Sequence, residues 1–459
     1  MTEAAGVEVL TAADAEVAQR RAAGSLLAGG LASGDRVAFC LPSSAALLCA
    51  VLGALRVGIV PVLLNATLLE AERDLLVEDA RPGFVVTDAD SLARLGRGHE
   101  TALAPHPLAR PMHCTSGTTG RAKGVWSGVW DAATAAASLA DEADQWGFGP
   151  DDVHLVCSPM YHSVSVRFAG GTLLRGGTCL ILDHFDAVTV AAALDGAVGP
   201  VPSTTFVAPS ALGRLLALPD NGPGRFARMR LVVHAGSPCP PALKRAALEV
   251  VPDGALWEFY GSTEGQFTVC SPREWADRPG TVGRARHGRS LAVDPDGTVW
   301  CRPPAFGAFT YWRDGDRTAA TWRDGCFTVG DLGRIDADGY LFLDGRRDDL
   351  VITGGVNVYP AEVEAVLTDV PGVAEVAVFG LPDDRWGQRV CAAVVTAGGA
   401  VDADVVAAVA THAVDHLAGY KRPKEYRVVD ALPRTATGKV RRLALSDGDD
   451  PVGAGPEPV

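Results

Sequence analysis

The chain has 459 residues, 47% hydrophobic and 21% charged, an ordinary globular composition with material for a large core. At about 150 residues per domain, this length predicts two or three domains. A net charge of −14 argues against a nucleic-acid partner, which would need a basic face. Ten cysteines are scattered from Cys40 to Cys391 with no C-x-x-C pair and no Cys/His cluster. They read as reduced core thiols of a cytoplasmic protein, and zinc is not expected. The N-terminus lacks a basic region ahead of an apolar run, and no apolar run approaches membrane-span length. Neither a signal peptide nor a membrane span is therefore expected.

Taken in chain order, DRVAFCL (35–41) reads as a buried strand, SSAALLCAVLGALRVG as a helix and IVPVLLN (59–65) as a strand. LEAERDLLVEDA then reads as a helix and GFVVTD as a strand. Such a β-α-β-α-β series predicts a parallel sheet covered by helices. Beyond residue 124 the runs HLVCS, TCLILD, TFVAP, RLVVHAG and ALWEFYG read as further strands. PPALKRAALEVV reads as a helix opened by prolines. Near residue 345 the texture changes at the charged, then glycine-rich GRRDDLVITGG. After it come a helix, two strands, a helix and a strand, which predict a second, smaller α+β domain. The last stretch, SDGDDPVGAGPEPV, is acidic and rich in Pro and Gly and reads as a disordered tail. The fold class is therefore α/β. The expected boundaries are a large domain over 1–345 with mixed and parallel sheets, a smaller mobile domain over 346–445 and a tail over 446–459.

Cys114–Gly124, CTSGTTGRAKG, crowds Thr115, Ser116, Thr118 and Thr119 around Gly117 and Gly120, then adds Arg121 and Lys123. Glycines let backbone N–H groups approach a ligand, and hydroxyls and cations donate to it, so the stretch suits a chain of phosphates. It is not a Walker A loop, since no Gly-Lys-Ser/Thr follows at the required spacing.

Three further motifs lie in register with this loop: YGSTEG (260–265), TVGDLGRIDADGYLFLDGRRDDLVITGGVNVYPAEVE (328–364) and PRTATGKVRR (433–442). In this order the sequence resembles the adenylate-forming superfamily of acyl- and aryl-CoA ligases, peptide-synthetase adenylation domains and luciferases. The resemblance covers residues from about 20 to 445 and leans to the acid–CoA ligase branch. It implies activation of a carboxylate by ATP and Mg²⁺ to an acyl-adenylate with loss of pyrophosphate, then thioester formation with CoA. By the same resemblance, Thr115, Ser116, Gly117, Thr118, Thr119, Gly120 and Lys123 cradle the β- and γ-phosphates. Glu264 ligates Mg²⁺, a hard ion suited to carboxylate oxygen. Thr263 touches the α-phosphate. Gly236, Ser237 and Pro238, with Tyr260, Gly261 and Ser262, frame the adenine. Asp331 and Arg346 meet the ribose, Asp348 is the hinge, and Lys439 reaches the reacting carboxylate and phosphate.

DDRWGQRV and GYKRPK resemble the CoA-contacting stretches of aryl- and acyl-CoA ligases. This implies Trp386 on the CoA adenine, Tyr420 and Arg422 near its nucleotide phosphate, and Gly354 and Gly355 beside the pantetheine channel. SPMYHSVSVRF (158–168) resembles the segment that turns an aromatic and a histidine toward the acid, which makes His162 a candidate contact. Arg167 faces either a scaffold carboxylate or a polar substrate, and Ala169, Gly170 and Gly171 suggest room for a flat ring. The partner is thus a small-molecule acid, and a homodimer is possible. The chain departs from the family in Ala122, where proline is usual, and in a short region ahead of the phosphate loop. Shortened relatives occur in secondary metabolism. Some of these activate nitrite through AMP and diazotise an aryl amine, an alternative that frees Trp386, Tyr420 and Arg422. A silent, nucleotide-binding homologue is a second alternative, opposed by the joint presence of Glu264, Asp331, Arg346 and Lys439.

Overall fold

Val7–Thr11 (β1) and Ala12–Ala28 (α1) open the chain, with the Thr11 hydroxyl accepting from the Asp14 N–H at 3.2 Å to cap the helix. Arg36–Cys40 (β2), Ala45–Leu55 (α2), Val60–Leu64 (β3), Glu70–Ala80 (α3), Phe84–Val86 (β4) and Ala89–Leu95 (α4) follow. β2 runs parallel to both β3 and β4, as the alternating pattern predicts. Met112–Thr115 (β5) lies parallel to β3, and Lys123–Trp126 (β6) returns antiparallel to β5. The short strand Thr310–Tyr311 then pairs with β6 and completes a six-stranded sheet. This computed structural model describes residues 6–446 except 116–122, 220–221, 223, 347–348, 354–355, 384, 399–400 and 435–439.

Ala132–Trp146 (α5), Val153–Val156 (β7), Ser163–Leu174 (α6), Thr178–Leu182 (β8), Ala187–Leu194 (α7), Thr204–Val207 (β9), Pro209–Leu216 (α8), Leu231–His234 (β10), Pro241–Val250 (α9) and Leu256–Glu258 (β11) build a second six-stranded sheet. Its order is β1-β8-β7-β9-β10-β11, parallel throughout except for β1, which runs against β8. Four-residue strands buried at every position, such as TTFV and LVVH, are what a parallel sheet covered on both faces requires. One apolar core joins α1, α2 and α6 to the first sheet. Another lies between α7, α8, α9 and the second sheet. α2 reads AALLCAVLGAL and is buried nearly all round, so it acts as a central pillar rather than a surface helix. Gly53 is required there, because a Cβ would stand 2.5 Å from the Gln19 carbonyl of α1.

The chain divides into two compact units, and the division is discontinuous in sequence. The first holds residues 1–291, 301–327 and 337–341; the second holds 292–300, 328–336 and 342–459. The second unit contains a five-stranded sheet in which Gly387–Thr396 is flanked by Val373–Asp383, antiparallel, and Glu425–Val428, parallel. Alternating residues divide between its faces. Val378, Val390, Ala392 and Val394 pack with helices Pro360–Leu367 and Asp402–His416, while Ala377, Phe379, Cys391 and Ala393 pack with Leu432 and Leu445. No helix among the described residues is long and apolar enough to cross a membrane.

Candidate active site

β10 and β11 are adjacent, with His234 paired to Glu258, so both segments that follow leave the sheet from one carboxyl edge. That edge is where ligands settle in open parallel sheets. Gly236 turns there at φ +94, a conformation that side-chain-bearing residues rarely adopt, and leads through exposed Ser237 and Pro238 toward α9. On the neighbouring segment the Tyr260 ring packs on Phe267 at 4.9 Å. Gly261 bridges to Gln266, and the Ser262 N–H donates to the Gly265 carbonyl at 2.9 Å, so Thr263 and Glu264 occupy a tight reversal. Beneath this edge a buried Lys244 donates to Glu258 at 3.2 Å and contacts His234. Desolvation pushes the Glu258 carboxyl up despite the neighbouring lysine, and burial drives His234 well below its ordinary value.

Glu264 is buried, and one of its oxygens accepts from the Tyr311 hydroxyl at 2.8 Å. Burial pushes the Tyr311 phenol up, and the carboxylate beside it adds to the effect, so this hydroxyl is a donor at neutral pH. A buried carboxylate oriented in this way is the kind of ligand a hard cation such as Mg²⁺ takes. The Glu264 carbonyl also accepts from Arg110 Nη1 at 3.2 Å.

The loop that opens the phosphate motif is anchored at both ends by the β5–β6 pair, Cys114 opposite Gly124 and Thr115 opposite Lys123. Ser116, Gly117, Thr118, Thr119 and Gly120 lie outside the described residues. Lys123 stands 3.7 Å from Asp79 and 3.9 Å from Asp314, a partly buried ammonium between two carboxylates.

Between α2, α5, α6 and the turn Ser262–Gln266 lies a cavity of about 160 Å³. Arg110, His113, Glu142, Arg167 and Arg289 reach its wall. Arg167 pairs with Glu142 at 3.1 Å and donates to Gln266 at 3.2 Å, so its partner is the scaffold. Burial by itself would raise the Glu142 carboxyl, but Arg167 and Arg286 hold it below its ordinary value. His113 Nδ1 donates to the Tyr161 carbonyl at 2.8 Å, and burial lowers the ring's pKa to about 4. The ring is thus neutral at pH 7, with the proton on Nδ1, since a carbonyl can only accept. His162 occupies the N-cap position of α6 without a side-chain capping bond, its ring 4.5 Å from Tyr161. Gly170 and Gly171 leave space that is already filled: a Cβ on Gly170 would meet Leu52 at 3.0 Å, and one on Gly171 the Phe148 ring at 2.4 Å. Their smallness admits these side chains, and both glycines also line the cavity.

In the second unit Asp331 and Arg346 sit on the paired strands Asp331–Ile335 and Leu341–Arg346, with Arg346 Nε donating to Asp331 at 2.8 Å. Trp386 and Tyr420 are 43% and 44% exposed, with the Arg385 guanidinium 4.8 Å over the Trp386 ring and the Lys421 ammonium 5.6 Å over the Tyr420 ring. Arg422 donates to the Leu417 and Val414 carbonyls, both at 2.8 Å, and so caps the helix Asp402–His416. Asp348, Gly354, Gly355 and Lys439 lie outside the described residues.

The sequence profile of the AMP-binding enzyme family matches residues 3–112 and 112–304, and that of the AMP-binding enzyme C-terminal domain matches 362–439. The chain belongs to the adenylate-forming enzymes. Among these enzymes it is 31% identical to the long-chain-fatty-acid–CoA ligase FadD13 of Mycobacterium tuberculosis, over 95% of this chain and 93% of the relative. It is 33% identical to the fatty acid–[acyl-carrier-protein] ligase ScoC of Streptomyces coeruleorubidus, over 93% and 89%. Its fold superposes with a TM-score of 0.81 on O-succinylbenzoate coenzyme A synthetase (MenE) of Bacillus subtilis in complex with ATP and magnesium ion. That match has 26% identity and covers 94% of both chains.

Arg110, His113 and Glu142 are cavity residues that motif reading passes over. The signal for the first two was present. In LARPMHCTS a basic residue and a histidine interrupt an otherwise apolar approach to the phosphate loop.

Proposed function

We propose that the protein is an ATP- and Mg²⁺-dependent acid–CoA ligase working through an acyl-adenylate. One observation carries this reading: the turn Ser262–Gln266 both holds the oriented carboxylate of Glu264 and lines the cavity, so nucleotide and acid would meet across one turn. In the first step an oxygen of the acid attacks the α-phosphorus of ATP and the bond to pyrophosphate breaks. In the second the CoA sulfur attacks the acyl carbon and AMP leaves. Mg²⁺ bound at Glu264 would offset charge on the phosphates. Gly236–Pro238 and Tyr260 would frame the adenine, and the Thr115–Gly124 loop and Lys123 would hold the phosphates. Asp331 and Arg346 would hold the ribose, Asp348 would be the hinge, and Lys439 would reach the reacting atoms. Trp386 and Tyr420 offer exposed aromatic rings suited to the CoA purine, with Gly354 and Gly355 beside its pantetheine. Arg422 would have to share its helix-capping bonds to reach a phosphate.

AMP and pyrophosphate release is measured with a panel of acids, with and without CoA. CoA-dependent turnover and a thioester by mass are the expected results. The small, arginine-rich cavity favours one second reading, activation of nitrite for diazotisation of an aryl amine. AMP release only with nitrite, indifferent to CoA, would establish it in place of the ligase. The fatty acyl-carrier-protein ligase among the relatives makes a carrier-protein thiol the control acceptor.

A further inference from the structure

Three buried polar atoms of residues lining this one cavity have neither a hydrogen bond nor an ion pair among the described residues: Arg110 Nη2, His113 Nε2 and Ser262 Oγ. Buried polar groups are nearly always satisfied, and three orphans facing one space mark the place of a polar ligand. Their chemistry is complementary. Arg110 Nη2 can only donate. His113 Nε2 can only accept, because Nδ1 carries the proton toward the Tyr161 carbonyl.

The charge balance points the same way. Arg167, Arg286 and Arg289 share Asp141 and Glu142 through contacts of 2.6–3.1 Å. Among the described residues Arg110 makes one hydrogen bond, to the Glu264 carbonyl at 3.2 Å, and no ion pair within salt-bridge distance. Four guanidinium groups thus face Asp141, Glu142 and the Glu264 carboxylate, which also accepts from the Tyr311 hydroxyl, so positive charge is in excess by one. An uncompensated buried cation is costly until an electron-rich group meets it. The volume of about 160 Å³ is comparable to a cavity of ~150 Å³ that holds a benzene ring.

Resting on the acid-activating reading above, we propose that the acid taken by this cavity is ring-sized. Besides its reacting carboxylate it carries an acceptor oxygen met by Arg110 and a hydroxyl or amino donor met by His113. A site built to hydrogen-bond a substrate rejects the analogue that lacks the group, because its own polar atoms are then left unpaired.

The test is pyrophosphate release with ATP and Mg²⁺ for decanoate, benzoate, mono- and dihydroxybenzoates and aminobenzoates. The best polar ring acid is expected to exceed benzoate and decanoate in kcat/KM by about tenfold or more. His113→Phe narrows the ratio between donor-bearing acid and benzoate, and Arg110→Met narrows the ratio for acceptor-bearing acid. His113→Gln and Arg110→Lys serve where the first variants do not fold, and ATP-dependent thermal shift checks folding. Equal turnover of decanoate or benzoate by the native protein would overturn the inference. So would an Arg110→Met variant that loses all acids by the same factor, since that guanidinium would then serve the reacting carboxylate. Pyrophosphate release with nitrite and with no carboxylic acid would sink the ligase reading itself.

Discussion

The hydroxyl of Tyr311 fixes one Glu264 oxygen at 2.8 Å and so decides which way the carboxylate presents its other oxygen. Such outer partners typically hold tenfold or more in metal affinity. Tyr311→Phe is therefore expected to raise the Mg²⁺ concentration for half-maximal activity by about tenfold, with little change in KM for the acid. An unchanged magnesium titration would remove Tyr311 from that role. A second residue-scale consequence concerns pH. Burial lowers His113 to about 4 and His154 to about 3, against an unfolded value near 6.5. Between those limits the unfolded chain binds more protons than the folded one, so stability is complete above about pH 6.5 and is lost as pH falls. Shifts of this size are worth on the order of 3 kcal/mol each. Urea unfolding at pH 7 and pH 5 should show the loss, and His154→Asn should flatten the slope. A pH-independent midpoint in the native chain would contradict it.

At the scale of elements, α6 shows where sequence and structure diverge. SVSVRFAGGTLL holds β-branched residues and a Gly-Gly pair, a poor helix by propensity, and its pattern does not predict the helix it forms. Burial overrides propensity, since Val166 and nearly every residue from Phe168 to Leu173 pack against α2, the sheet and Phe148. Residues 7–28 hold a readable pattern, a Thr cap and a three- and four-residue apolar spacing, yet β1 and α1 are absent from the elements expected from sequence. By contrast β2 to β4, β7 to β11 and the elements beyond 360 are legible, because buried strands and capped helices state themselves in short apolar runs. Gly171→Ala tests the packing account. Ala gains about 1 kcal/mol of helix propensity, but a Cβ set 2.4 Å from the Phe148 ring overpacks the core by about 1–3 kcal/mol. A net fall in the denaturation midpoint is expected. A variant as stable as the native protein would show that Phe148 yields freely.

For the whole molecule, the motifs reveal the family and the reaction, because phosphate and carboxylate chemistry needs particular residues at particular spacings. The cavity proposed for the acid is far less legible, since its wall is assembled from α2, α5, α6 and the segment 109–113, which are distant in sequence. Two half-reactions assigned to different residues of the second unit predict separable defects. Lys439→Ala should abolish pyrophosphate release, while Trp386→Ala should chiefly raise KM for CoA. Equal loss of pyrophosphate release in both would contradict that division. The most direct measurement of the central claim follows an atom. An acid labelled with ¹⁸O in its carboxylate is incubated with ATP, Mg²⁺ and CoA, and the AMP is analysed by mass. Attack of the acid on the α-phosphorus requires one labelled oxygen to appear in AMP. Unlabelled AMP would contradict an acyl-adenylate intermediate and, with it, the acid–CoA ligase reaction.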